Sequence, residues 1–174
     1  MKKILETERL ILREMTQDDY SDLCEILQDK ETMYAYEHAF SDNEAQAWFE
    51  KQLNRYKNDG FGLWAVIEKT SGEFVGQCGI TWQDIDGETV PEIGYLFKRK
   101  HWGNGYASEA AQGCKQYAFE VLGFDRVYSI IRDNNYASQR VAERNGMKAI
   151  KTFIKHYYGI DMPHIVYEAE RNKK

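Results

Sequence analysis

The chain has 174 residues, 43% of them hydrophobic and 29% charged, with 2 prolines. That length suits one domain, residues 1–174, with a core that holds without disulfides, and the composition excludes disorder and low complexity. A net charge of -5 lacks the broad positive footprint of a general nucleic-acid binder.

Met1 to Thr16, "MKKILETERLILREMT", holds no apolar run of signal-peptide or membrane-span length, so a cytoplasmic protein without membrane partners is expected. The three cysteines, Cys24, Cys78 and Cys114, form no C-x-x-C pair, and no histidine stands at ligand spacing. Neither a disulfide framework nor a metal site is expected.

"RLILR", Arg9 to Arg13, reads as a buried strand, and Thr16-Gln17-Asp18-Asp19 as the capping pattern of a first helix with Tyr20, Leu23, Cys24 and Leu27 on its inner face. Ser41-Asp42-Asn43-Glu44 is a second capping box. It opens a helix whose inner stripe is Ala45, Trp48, Phe49, Leu53 and Tyr56, ended by Asn58-Asp59-Gly60. Three strands follow, "FGLWAVIE", "EFVGQCGITW" and "EIGYLF", joined through Thr70-Ser71-Gly72 and Asp86-Gly87, short turns that favour antiparallel hairpins.

A longer amphipathic helix runs from about Tyr106 to Leu122, with Gly123 as its stop. "RVYSII" is a strand, "NNYASQRVAERNG" a short helix capped by an asparagine, and "KAIKTFIKHYY" and "HIVYEAER" a final strand pair around Gly159-Ile160-Asp161. The order is β-α-α-β-β-β-α-β-α-β-β, a mixed α/β (α+β) architecture with no repeat and no linker.

The entrance to the long helix, "KRKHWGNGYASEA", is where chemistry concentrates. A helix N-terminus offers unpaired N–H groups and a positive dipole end to an anion. Gly103 and Gly105 let backbone approach a phosphate, Ala107 and Ser108 keep the first turn open, and Lys98, Arg99, Lys100 and His101 add upstream charge. The same G-x-G also serves as a tight strand-to-helix turn. A dinucleotide fingerprint fails, because Ser108 stands where the third glycine belongs and the preceding strands are antiparallel; a Walker A loop fails for want of G-K-[ST].

With "TERLILREMTQDD", "EIGYLFKRKHWGNGYASEA" and "NNYASQRVAERNGM" in chain order, the sequence resembles the GNAT superfamily of acyl-CoA-dependent N-acetyltransferases, and within it the branch of ribosomal-protein N-terminal acetyltransferases. The likeness spans essentially the whole chain. It implies the GNAT fold with a splayed central strand pair, and acetyl-CoA as cosubstrate without a metal. The family's pyrophosphate loop R/Q-x-x-G-x-G/A aligns with Trp102-Gly103-Asn104-Gly105-Tyr106-Ala107, with Trp102 in place of Arg or Gln. The implied pyrophosphate contacts are backbone N–H groups of Gly103, Asn104, Gly105, Tyr106, Ala107 and Ser108. By position, Tyr95, Leu96 and Phe97 supply main-chain contacts to the pantetheine arm, which pairs like an added strand. The family's N-x-x-S motif falls on Asn135, toward the arm's amides, and Ser138, beside the thioester sulfur. Both also suit helix capping.

Acyl transfer to an amine needs a neutral nucleophile, a polarised carbonyl and a stabilised leaving thiolate. The tyrosine that many members use as general acid is replaced by Ala142, which leaves Ser138 as thiolate partner. Glu92, heading "EIGYLF" and sharing a face with Gly94 and Leu96, is the candidate base; it also reads as a hairpin glutamate beside Pro91. A glutamate used elsewhere in the family is replaced by Ile130, and Tyr157 is a reserve for proton relay. His101, His156 and His164 read as packing or solvent residues. Tyr34, Tyr36, Trp64 and Trp82 divide between core and an acceptor pocket.

Direct transfer of acetyl from acetyl-CoA to a primary amine in a ternary complex is thus expected, the amine being a protein N-terminus or a small molecule. The acidic balance suits a cationic amine. The family resemblance also admits a homodimer. A non-catalytic acyl-CoA sensor is the alternative, and nucleotide or nucleic-acid binding through the basic run a further one.

Overall fold

The computed structural model describes residues 2–157 and 159–172, Tyr157 by its backbone alone. The elements are β1 (Lys3–Glu6), β2 (Leu10–Arg13), α1 (Tyr20–Leu27), α2 (Asp42–Asn58), β3 (Leu63–Glu68), β4 (Phe74–Ile85), β5 (Glu88–Phe97), α3 (Tyr106–Glu120), β6 (Arg126–Arg132), α4 (Tyr136–Arg144), β7 (Lys148–Tyr157) and β8 (Ile160–Glu170). The chain opens with one strand more than its pattern announced. The four residues of β1 are too few, with charge at both ends, to show a period. Tertiary contacts form the strand instead: β1 pairs with β2, and Ile4 and Leu5 pack on the core beside α3.

The strands make one sheet in the order β1-β2-β3-β4-β5-β6-β8-β7. Every neighbouring pair is antiparallel except β5 and β6. One face packs on α1 and α2 through Leu23, Ile26, Leu27, Ala45 and Phe49. The other packs on α3 and α4 through Ala110, Ala111, Cys114, Ala118, Val141 and Ala142.

Both capping motifs form. Ser41 Oγ accepts from Glu44 N–H at 3.2 Å while Glu44 Oε1 accepts from Ser41 N–H at 3.0 Å. Asp19 Oδ2 accepts Thr16 N–H at 2.8 Å, and its carboxylate also takes a two-pronged grip from Arg13 at 2.7 and 2.8 Å. The stripe on α2 is shifted by one residue: Leu53 is 37% exposed and Gln52 fully buried. Gln52 Oε1 accepts Leu63 N–H at 3.1 Å and Arg55 Nη1 at 3.1 Å, so a polar side chain ties α2 to β3 at satisfied valence.

β4 and β5 pair over ten positions, from Ile85↔Glu88 to Gly76↔Phe97. β5 and β6 pair at Glu92↔Tyr128. Beyond that point side chains take over the rungs. Ser129 Oγ donates to Ile93 C=O at 2.8 Å, and Ile130 N–H donates to Glu92 Oε2 at 2.6 Å. These bonds satisfy the buried polar groups without drawing the strands together, which is how a V-shaped gap opens in mid-sheet.

Candidate active site

The register of β5 decides which of its groups reach the gap. Lys98 N–H donates to Val75 C=O at 2.9 Å, which continues the β4–β5 ladder and places the main-chain groups of the even-numbered residues on the β4 side. The odd-numbered residues face the gap, as the Ser129 bond to Ile93 C=O shows. Tyr95 and Phe97 therefore present main-chain groups to it, whereas Leu96 contributes its side chain as wall. Phe97 C=O also accepts from Trp102 Nε1 at 3.0 Å. The indole thus pins the loop to the end of β5.

The loop itself is held open. Gly103 and Gly105 have φ of +85° and +79°, in the left-handed region, and nothing stands within 4 Å of where a Gly103 Cβ would lie. Glu109 N–H to Gly105 C=O, at 3.1 Å, is the first rung of α3. The N–H groups of residues 103–108 have no backbone acceptor among the described residues, as an anion cradle requires.

Arg9, in the turn between β1 and β2, fastens this cradle from behind. Its Nη1 donates to Asn104 C=O at 2.8 Å, its Nε to Glu109 Oε1 at 2.7 Å, and its guanidinium lies 4.6 Å over the Tyr106 ring. Arg9 N–H and Thr7 Oγ hold Glu109 Oε2 at 2.8 and 2.5 Å. No local pattern in "TERL" announced that role, because its partners lie about a hundred residues on.

The basic run before the loop is largely spent elsewhere. Lys98 is buried and paired with Asp22 and Glu25 at 2.7 and 2.9 Å; Arg99 pairs with Asp29 and Glu31 at 3.3 and 2.9 Å. Lys100 and His101 meet Glu73 at 2.8 and 3.2 Å, a close pairing, Lys100 foremost, that pulls the Glu73 carboxyl down to about 2. The cations that do line the cleft come from α4: Arg140 and Arg144, one turn apart, the latter 3.5 Å from Ser108 Oγ. Neither belongs to a local motif, since what brings them to the loop is the packing of α4 beside α3.

Two cavities result. One, of about 520 Å³, runs from the 103–108 cradle past Phe97 to Tyr95, Asn135 and Ser138. The other, of about 200 Å³, opens on the α2 side and is lined by Glu92, Tyr36, Trp48, Ser129 and His164. Tyr95, Leu96, Asn135 and Ser138 border both. The parted strands are the doorway between them.

At that junction Asn135 Oδ1 accepts from Ser138 N–H at 3.3 Å and from Tyr34 hydroxyl at 2.9 Å. Both lone pairs are engaged, leaving the side-chain NH₂ as what Asn135 can offer a ligand. Tyr95 hydroxyl donates to Ser138 C=O at 3.0 Å, fixing the first turn of α4, and burial raises the phenol so that it stays protonated. Ala142 is buried beside the Tyr95 ring in a small adjoining void.

Glu92 points to the α1–α2 side. Burial raises its carboxyl above the usual 4.5, against the opposing pull of Lys155, the Ile130 N–H and Arg55. His164, buried at 6% exposure, donates Nδ1–H to Met162 C=O at 2.8 Å, which leaves Nε2 with the lone pair. Burial lowers its pKa and keeps the ring neutral. A second base candidate is thus present in a histidine that read as a packing residue. The side chain of Tyr157 lies outside the described residues. Of the other aromatics, Trp64 is core, Trp82 is half-exposed against Phe61 and Phe124, Tyr36 lines the smaller cavity and Tyr34 the larger.

A cleft ending in a helix-entrance cradle, set in a split between parallel strands, is the arrangement expected from the resemblance. The model of the acetyltransferase (GNAT) domain family matches residues 9–148. The chain belongs to the GNAT acetyltransferase family. It is 41% identical over 155 residues to the Bacillus subtilis (strain 168) protein YkkB, covering 88% of this chain and 90% of that one. The uncharacterized N-acetyltransferase p20 of Bacillus licheniformis is 34% identical over 136 residues, 77% of this chain and 76% of p20. Among solved structures, a GNAT-family acetyltransferase from Bacillus anthracis superposes with a TM-score of 0.80 at 27% identity, covering 97% of this chain and 98% of that one. This GNAT protein is an acyltransferase, and its family uses acetyl-CoA as cosubstrate.

Proposed function

We propose that this GNAT protein transfers acetyl from acetyl-CoA to a primary amine by direct attack in a ternary complex. The observation that carries this reading is the meeting of the two cavities at Tyr95, Leu96, Asn135 and Ser138, with Glu92 on the far side of the doorway. The larger cleft fits an acyl-CoA: N–H groups 103–108 with Arg140 and Arg144 for the pyrophosphate, and main-chain groups of Tyr95 and Phe97 with the Asn135 NH₂ for the extended arm. The smaller cavity takes the amine.

In the reaction the amine nitrogen forms a bond to the thioester carbonyl carbon as the carbon–sulfur bond breaks. The proton leaves the nitrogen for Glu92, directly or through water, and the sulfur departs as thiolate beside Ser138 Oγ–H. Tyr95 acts as a positioning residue, holding Ser138 by its carbonyl. Apposing the two reactants in adjoining cavities converts a bimolecular encounter into an oriented one, the larger part of what such an enzyme has to supply.

The decisive experiment is release of free CoA thiol at saturating acetyl-CoA across a panel of peptide and small-molecule amines. Turnover with an amine supports the reading. Tight acetyl-CoA binding without turnover by any amine would assign the chain to acyl-CoA sensing, the role that the alanine at 142 favours.

A further inference from the structure

The segment between α1 and α2 crosses the cleft where the two cavities meet. Thr32 borders both, Tyr34 lines the larger, and Ala35 and Tyr36 line the smaller. Tyr34 to Tyr36 form a single 3-10 turn that runs into Glu37, whose φ of +74° lies in the left-handed region. A residue with a β-carbon keeps that conformation where its surroundings impose it. Arg132, at the end of β6, grips the turn at both ends: its Nη1 donates to Tyr34 C=O at 3.2 Å and its Nη2 pairs with the Glu37 carboxylate.

The turn so held delivers the Tyr34 hydroxyl to Asn135 Oδ1 at 2.9 Å. At 41% exposure the Tyr34 ring contributes little as a wall, and the hydroxyl is the part of the residue with a fixed partner across the cleft. Asn135 Oδ1 also accepts from Ser138 N–H, but at 3.3 Å and from within its own helix turn. A main-chain N–H can only donate, so this bond decides which end of the amide is the oxygen. By itself so long a bond leaves the amide plane free to swing, whereas two donors from separate elements hold it. With the oxygen committed twice, the NH₂ end remains for a ligand at the point where Asn135 borders both cavities.

We propose that Tyr34 is a positioning residue for the cosubstrate's pantetheine arm: by holding the Asn135 oxygen from across the cleft it fixes the plane of the amide and presents the NH₂ to a carbonyl of the arm. The inference rests on the reading of the larger cleft as the acyl-CoA site and adds to it a residue outside the loop, β5 and α4. Tyr34 acts through Asn135, and Arg132 acts through Tyr34, so recognition of the arm depends on a segment that no motif of the sequence marks.

The test measures affinity by calorimetry, on the full chain, for two ligands: coenzyme A, and 3′-phospho-ADP, which keeps the pyrophosphate and lacks the arm. Tyr34→Phe retains the ring and removes the hydroxyl. Its dissociation constant for coenzyme A should rise about three- to tenfold, as expected for the net loss of one hydrogen bond, while that for 3′-phospho-ADP stays unchanged. Asn135→Asp separates aiming from pinning, because a carboxylate still accepts from both Tyr34 and Ser138 but has no N–H for the arm. In that background Tyr34→Phe should have no further effect on coenzyme A. A further loss there would show that the hydroxyl holds the segment closed and does not aim the amide. That result, an equal fall for both ligands, or coenzyme A affinity unmoved in Tyr34→Phe each overturns the inference and leaves the acyl-CoA reading standing. A native protein that does not bind coenzyme A overturns the acyl-CoA reading itself, and the inference with it.

Discussion

Glu92 Oε2 accepts the N–H of Ile130 at 2.6 Å, where β5 and β6 part. One carboxylate oxygen replaces a missing rung of the sheet while the group as a whole lines the smaller cavity. The glutamate that bridges the parting strands is thus also the one proposed above as the base.

Replacing Glu92 by Gln should lower kcat by about a hundredfold or more while leaving the melting temperature nearly unchanged. A glutamine carbonyl oxygen can still accept the Ile130 N–H, so the strand junction survives. The folded carboxyl is raised above 4.5 by burial, so kcat/KM of the native enzyme should fall as pH drops through that raised value and the base is protonated. That acid limb should vanish in Glu92→Gln and persist in His164→Asn; the reverse pattern in the pH profiles would move the base to His164.

For Ser138→Ala, turnover is expected to fall about ten- to a hundredfold with the acetyl-CoA dissociation constant unchanged. The Asn135 cap uses the Ser138 main chain, which alanine keeps. Single-turnover rates with calorimetry separate the two effects, and unchanged turnover at saturation would remove Ser138 from the mechanism.

Arg9→Ala should weaken acetyl-CoA binding without touching the amine acceptor. The Arg9 side chain is 44% exposed, so the charge-assisted grip on Glu109 is discounted to about 1 kcal/mol, near a fivefold rise in KM for acetyl-CoA. Steady-state kinetics with each substrate varied in turn gives both constants, and an acceptor KM that shifts by the same factor would contradict a role confined to the loop.

The Arg13–Asp19 pair makes stability depend on acidity. Burial alone would raise Asp19, but the Arg13 hydrogen bonds and the Thr16 N–H overcome it and leave the folded carboxyl below 3.8. Its contribution is present above about 3.8 and is lost as pH falls through the lower folded value. Asp19→Asn should therefore cost about 3 kcal/mol at pH 7, by stranding a largely buried Arg13. In urea titrations the gap between the two proteins should narrow below pH 4.

Much of the frame was legible because its cues are local. Ser41 with Glu44, Thr16 with Asp19, the Asp86-Gly87 turn and the left-handed Gly103 and Gly105 are each set within a few residues, and all formed where the sequence placed them. Where partners are remote the pattern is silent or misleading. β1 is too short to show a period. Gln52 is polar on an inner stripe because its partners lie on β3. The basic run was prominent in the sequence, yet acids from other elements neutralise much of it.

The sequence by itself determined the order of the main elements, the phosphate-type helix entrance and the family, since these depend on contiguous residues and short spacings. Tertiary structure alone decided that Ser129 and Glu92 take over the rungs of a parting sheet, each from a partner 36 or 38 residues away. It also decided that Arg9 clamps the loop. Side-chain periodicity tells which face a residue presents, but which distant charge or carbonyl it will meet there depends on strand register and helix placement.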